Sequence, residues 1–248
     1  MEHITSRKNS IITKLRTLSA DGAYRREAGE FVCDGEKMLK EALAFGAEVT
    51  TILWGDRPTF AVTETLDQYS CPMELMQFVS PLKNSQGPVF SVKMAPRQGT
   101  TAADSVLVLE NVQDPGNVGT VIRTAAALGI DAVLLIGDCA DLYHPKTVRA
   151  TMGGIFRQPV IETDILGLEN YVNQNKLRLY GAALSEDALD IRKIEMKKLA
   201  VAVGSEGRGL SEQLLAHCGG RLIIPMSPDC ESLNAAVAAS IVMWEMAR

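Results

Sequence analysis

Apolar and polar positions change period several times along the chain, and each change marks an element. From Ser6 to Leu18 the apolar residues Ile11, Ile12, Leu15 and Leu18 recur at the spacing of one helix face, and the Asp21-Gly22 pair reads as that helix's end. Glu30 to Cys33 predicts a short strand, Glu36 to Phe45 a helix closed by Gly46, and Val49 to Trp54 a second strand, with a last strand at Pro88 to Met94. A Pro-Arg-Gln-Gly-Thr-Thr run from Pro96 to Thr101 then has linker composition.

Beyond it the pattern is cleaner. Apolar runs at Ser105 to Glu110, Ala132 to Ile136, Pro159 to Glu162, Leu177 to Ala182, Leu199 to Val203 and Arg221 to Pro225 predict strands. Helical stretches at Val118 to Leu128, Pro145 to Thr151, Ile165 to Asn175 and Ser211 to His217 separate them. Continuous apolar strands alternating with helices predict an α/β class with a parallel sheet covered on both faces. Ser232 to Ala247 closes the chain as an Ala-rich helix with so little polar surface that it belongs deep in its domain or in a subunit interface. The expected organisation is a smaller α/β domain at 1–95, a linker at 96–104 and a parallel-sheet domain at 105–248.

Composition narrows the function. With 248 residues, 46% hydrophobic and 22% charged, the chain has material for one large core or two modest ones, and two domains are expected. Its apolar runs are far short of a bilayer span, and the polar start Met1-Glu-His-Ile-Thr lacks the apolar core of a secretion signal, so a cytoplasmic protein without membrane association is expected. Five scattered cysteines with no C-x-x-C pair suggest neither a disulfide framework nor a zinc site. His3, His144 and His217 sit in no metal-ligand pattern, and no metal is expected. A net charge of −5 excludes indiscriminate nucleic-acid binding, which needs a broad positive surface. Any RNA contact must be local, and the first 26 residues carry a local excess: Arg7, Lys8, Lys14, Arg16, Arg25 and Arg26 against Glu2 and Asp21.

Ligands of such a sheet bind beyond the carboxyl ends of its strands. Three stretches there stand out. Glu110 to Arg123 is dense in turn-forming residues and presents Arg123 on a helix; Asn117, taken alone, is equally an N-cap. Gly204-Ser-Glu-Gly-Arg-Gly209 lacks the G-x-G-x-x-G order of a dinucleotide site, and Glu206 would repel a pyrophosphate, so its glycines suit close approach to an uncharged adenine or ribose, or simply a turn. Leu222 to Asn234 leads into the last helix, where Ser232 or Asn234 is a candidate cap.

Taken together, these stretches resemble the SpoU family, the TrmH-like branch of the SPOUT methyltransferases. Its motifs are close to N-x-x-D-P-x-N-x-G-x-x-x-R, G-x-E-G-x-G-L-S and I-P-M-x(5)-S-L-N. They are matched here by Asn111, Asp114, Pro115, Asn117, Gly119 and Arg123, by Gly204 to Ser211, and by Ile224, Pro225, Met226, Ser232, Leu233 and Asn234. More weakly, Ser6-Arg-Lys-Asn and Glu30 to Lys37 look like the ribosomal-protein-like substrate-binding domain of rRNA-modifying members.

The resemblance implies a deep trefoil knot in the C-terminal domain, an obligate homodimer and S-adenosylmethionine-dependent methylation of an RNA ribose 2′-hydroxyl. The separate N-terminal domain favours rRNA of the large subunit; tRNA stays open as substrate, as does a non-catalytic RNA-binding, ribosome-associated role. By the same resemblance, Gly204, Ile224, Met226 and Leu233 would hold the cofactor, while Asn117, Arg123, Glu206, Ser232 and Asn234 would surround the ribose. A guanidinium stays protonated, so Arg123 is expected as a phosphate and oxyanion clamp rather than a base. Ser227-Pro228-Asp229 and Ala235-Ala236 depart from the family's usual glycines and Val-Ser pair, and Arg149 is a candidate RNA contact.

Overall fold

A computed structural model describes residues 1–82, 85–94, 102–185, 187–227, 229 and 232–248. The expected linker run Pro96 to Thr101 and Pro228 lie outside these residues. The chain packs as two compact units, one from residues 1–94 with 141–156, the other from 102–140 with 157–248. A segment inside the expected second domain thus groups with the first unit.

In the first unit the order is β1 (Glu2–His3), α1 (Ser10–Ala20), α2 (Gly22–Ala28), β2 (Glu30–Asp34), α3 (Glu36–Ala44), β3 (Val49–Gly55), β4 (Asp67–Cys71), α4 (Met73–Val79) and β5 (Val89–Lys93). The strands form one mixed sheet, β1-β4-β3-β5-β2. Ile12, Leu15 and Leu18 of α1 are fully buried against Val32, Leu53, Met76 and Val79. Trp54 is 1% exposed and donates its indole N–H to Gln68 Oε1 at 3.1 Å.

The structure departs from the expected first helix at both of its ends. The helix begins at Ser10, because Asn9 Oδ1 accepts the Ile11 N–H and caps it. Asp21-Gly22 is a junction rather than an end: Asp21 Oδ1 accepts the Ala23 and Tyr24 N–H groups and starts α2 at once.

The second unit opens with β6 (Ser105–Glu110), α5 (Pro115–Leu128) and β7 (Ala132–Ile136). The chain then makes α6 (Pro145–Ala150), which packs on β2 of the first unit, and returns. It continues through β8 (Val160–Thr163), α7 (Ile165–Asn175), β9 (Arg178–Ala182), β10 (Leu189–Asp190), β11 (Leu199–Val203), α8 (Glu212–His217), β12 (Arg221–Ile223) and α9 (Ala235–Met246). All seven strands pair in parallel, in the order β10-β12-β9-β11-β6-β7-β8. Every residue of β7 and β11 is buried, as strands covered on both faces require.

The strands are not laid down in sequence. The chain runs outward from β6 through β7 to β8, then crosses to β9, and β11 takes the slot between β9 and β6. This reversal of direction makes a switch point, where the loops leaving neighbouring strands diverge and open a crevice. Among the described residues no helix is long and apolar enough to cross a membrane.

Candidate active site

Because Leu109 of β6 lies in register with Val203 of β11, the loops that follow these strands start side by side. In the first loop Asn111 has φ 55°, and its Oδ1 accepts the Asp138 N–H at 2.8 Å, tying the loop to the end of β7. Asp114 is the cap of α5, accepting the Asn117 N–H at 2.9 Å. Asn117 is therefore the third residue of the helix and not its cap, which leaves its side chain available to another loop. Its Nδ2 donates to Glu206 Oε1 at 2.7 Å.

The second loop folds back on itself. The Gly209 N–H donates to the Ser205 carbonyl at 2.8 Å, and Gly209 takes φ +64°. A Cβ on Gly204 would stand 2.1 Å from the Gly209 carbonyl, so a side chain is excluded there. The turn brings Glu206 out to the solvent side.

In the third loop Asn234, not Ser232, caps α9, which starts at Ala235. Its Oδ1 accepts the Ala236 and Val237 N–H groups at 3.0 and 3.2 Å. Its Nδ2 donates to Glu206 Oε1 at 2.6 Å and to Asn117 Oδ1 at 3.2 Å. The Ala235 N–H also reaches Glu206 Oε1, at 3.2 Å. One carboxylate oxygen of the second loop thus gathers donors from the first and the third at the start of a twelve-residue helix, where the helix dipole favours negative charge.

Beside this cluster lies a cavity of about 350 Å³. Gly204, Ile224, Met226 and Leu233, the four residues expected to hold a cofactor, all line it, as do Glu206 and Ser232. Its volume is that of an ordinary small-molecule pocket. Ala182, Val203 and Leu222 add apolar wall suited to a flat heterocycle, while Glu206 supplies negative charge for a cationic group.

Arg123 is placed differently. It is exposed on α5, six residues beyond Asn117, which is about 9 Å along the helix axis and on another face. Within the chain it joins neither the cluster nor the cavity wall. Arg149 lies on α6, in the first unit, where its charge opposes the upward push that burial gives the Asp34 carboxyl.

One residue of the site escaped the sequence reading. Glu110, at the end of β6, is 3% exposed. Its Oε2 accepts the Ser211 N–H at 2.7 Å and its Oε1 the Ser211 hydroxyl at 2.6 Å. Burial, and then the Glu110 charge, push the nearby Cys218 thiol up to about 11. The available signal was a lone acid closing the otherwise apolar run Ser-Val-Leu-Val-Leu-Glu.

Known proteins resemble this chain in sequence and in fold. The model of the SpoU rRNA Methylase family matches residues 104–244. A Bacillus subtilis protein named 23S rRNA (guanosine(2553)-2′-O)-methyltransferase RlmP is 32% identical over 248 residues, covering 99% of each chain. The AdoMet-bound rRNA methyltransferase of Sinorhizobium meliloti superposes with a TM-score of 0.86 at 26% identity, over 99% of this chain and 97% of that one. The SpoU methyltransferase AviRb of Streptomyces viridochromogenes, in complex with AdoMet, also gives 0.86, at 25% identity over 97% and 98% of the two chains. With its three loops converging on Glu206 and its length matched from end to end, the chain belongs to the SpoU rRNA methylase family.

Proposed function

We propose that the protein methylates a ribose 2′-hydroxyl of large-subunit rRNA in the cytoplasm, using S-adenosylmethionine. The observation that carries this reading is the convergence of Asn117, Glu206 and Asn234 beside the cavity lined by Gly204, Ile224, Met226 and Leu233. When bound, S-adenosylmethionine supplies an electrophilic methyl group on a cationic sulfur. The cavity suits it: apolar walls for adenine, a backbone opened by Gly204, and a carboxylate at its edge.

The chain's own residues then position the substrate. Glu206, held by three donors, fixes the orientation of both asparagine amides, and these present polar groups to a ribose. Ser232, on the cavity wall, is assigned to the same task. Arg123 clamps a phosphate, and a phosphate oxygen or water takes the hydroxyl proton as the new O–C bond forms.

Exposed Val237 and Trp244 on α9, with Ile241 between them on the same stripe, support a homodimer built on that helix. The slot of β11 between β6 and β9 supports a trefoil knot in the second unit. The first unit is assigned to RNA contact through Arg7, Lys8, Arg16 and Arg26, its exposed cations among the first 26 residues.

The test is transfer of radiolabelled methyl from S-adenosylmethionine to unmodified 23S rRNA, with tRNA in parallel and the product nucleoside identified. A 2′-O-methylated nucleoside from rRNA is the expected result. Methylation of tRNA alone would move the substrate. Absence of both transfer and cofactor binding would replace the enzyme with a non-catalytic RNA-binding protein.

A further inference from the structure

We infer that Glu110 is a positioning residue for the cofactor cavity: by clasping Ser211 it closes the Gly204–Leu210 loop into a ring and holds Glu206 in place. The inference rests on the reading of the cavity as the cofactor site.

The loop begins and ends at the same point of the sheet. Glu110 follows Leu109 and Gly204 follows Val203, and Leu109 and Val203 are paired in register, so the loop starts beside Glu110. Its far end returns there, because both Glu110 oxygens accept hydrogen bonds from Ser211, the residue that follows Leu210. The Ser205–Gly209 bridge narrows the neck, and the tip Glu206-Gly207-Arg208 is exposed. An exposed tip has little packing of its own to hold it. Its position depends on the neck, on the clasp and on the three hydrogen bonds that Glu206 itself accepts, and the clasp is the one of these that fixes where the loop ends.

The clasp is separable from the helix that follows it. Ser211 Oγ accepts the Leu214 N–H at 3.1 Å and so caps α8, an interaction that does not involve Glu110. Removing the carboxylate leaves the cap's geometry available but strips two acceptors from the end of the loop. The spacing of the sequence hides this link, since the partners are 101 residues apart. Leu210, 8% exposed within the unit's core, is the loop's other anchor and is untouched by changes at Glu110.

The experiment compares the full-length protein with Glu110→Ala, Glu110→Gln and Ser211→Ala by amide hydrogen exchange and by calorimetric titration of S-adenosylmethionine. Glu110→Ala is expected to raise exchange in the 204–211 segment and to weaken cofactor binding about tenfold, the scale of one hydrogen bond to a charged group. Exchange in β6 and β11 should stay as it is. Glu110→Gln keeps one acceptor and adds an N–H that Ser211 Oγ can accept, so it should recover most of the affinity; a merely structural role predicts no such rescue in cofactor binding. Should Glu110→Ala not fold, Ser211→Ala gives the same readouts at an intermediate level, with Glu110→Gln close to wild type. Unchanged loop exchange and unchanged affinity, with only a lower melting temperature, would overturn the inference. A wild-type protein that binds no S-adenosylmethionine would overturn the reading of the cavity, and the exchange pattern would then decide on the clasp by itself.

Discussion

In the first unit, the cations turned into the fold find partners that neutralise them and end there. Arg25, 3% exposed, donates to the Leu18 carbonyl at 2.8 Å and to Asp141 Oδ2 at 2.7 Å. Lys14 meets Glu30 at 2.8 Å. In the second unit, by contrast, the carboxylate of Glu206 is shared by two amides and a backbone N–H from segments up to 89 residues distant, and the group faces a cavity. Pairing two opposite charges stabilises a fold; converging several neutral donors on one exposed anion, next to empty volume, prepares a surface for something else. The same contrast sorts the six cations of the first 26 residues. Lys14 and Arg25 serve the fold, while Arg16 stacks on Phe78 at 4.1 Å and donates to its carbonyl, with its remaining donors at the surface.

The largest effect expected from breaking this contrast is at Gly204. A Gly204→Ala protein has to displace the Gly209 backbone, and its affinity for S-adenosylmethionine should fall by well over 100-fold in a calorimetric titration, since the added methyl has no room. Next comes Arg25→Ala, which takes a buried guanidinium from both Asp141 and the Leu18 carbonyl and should lower unfolding stability in urea by about 3 kcal/mol. The folded fraction of that variant should still bind cofactor normally. If it did not, the division between fold-serving and site-serving charge would be wrong.

Glu206→Ala comes third, with kcat for methyl transfer reduced about 100-fold and the melting temperature little changed, because the residue is exposed. Smaller still, Arg7→Gln and Arg16→Gln should each weaken rRNA binding a few-fold and reduce the slope of log affinity against log salt by about 1. Equal slopes for wild type and variants would remove these cations from the RNA surface.

The smallest effect is at His144. Its Nδ1 accepts the Lys146 N–H and caps α6, so the folded form is the neutral one; burial, then the charge of Arg25, hold the imidazole below the usual histidine range. The unfolded chain takes up the proton first. The contribution is intact above about pH 6.5 and falls as pH drops toward the folded value. Between pH 7.5 and 5.5 the wild type should lose under about 1 kcal/mol relative to His144→Asn, whose cap does not titrate.

Much of the second unit was readable in advance because its strands are apolar throughout. Leu199–Val203 and Ile165–Asn175 appear with the expected limits, and all three loops fall beyond strand ends. The first unit was harder. β4, Asp-Gln-Tyr-Ser-Cys, is too polar to read as a strand, and it forms by parallel pairing with β3. α4 then starts behind Pro72 with no side-chain cap to announce it.

Within the site, residue types were legible and geometry was not. Asp114 and Asn117 are both good caps, and only the backbone decides that Asp114 takes the task and frees Asn117. Ser232 and Asn234 pose the same choice, settled for Asn234. Arg123 keeps its place in the motif and, within one chain, stands apart from Asn117, Glu206 and Asn234.

The two tryptophans of the chain fall one to each unit, in opposite surroundings. Trp54 is enclosed, with its indole N–H satisfied and the Phe60 ring edge-on at 5.4 Å, whereas Trp244 on α9 is 59% exposed. The protein therefore carries its own pair of optical labels. Emission from the shielded indole tracks the integrity of the first sheet, and iodide quenching of the wet one tracks whether the last helix is free or covered, so folding and assembly can be watched separately in an unmodified sample.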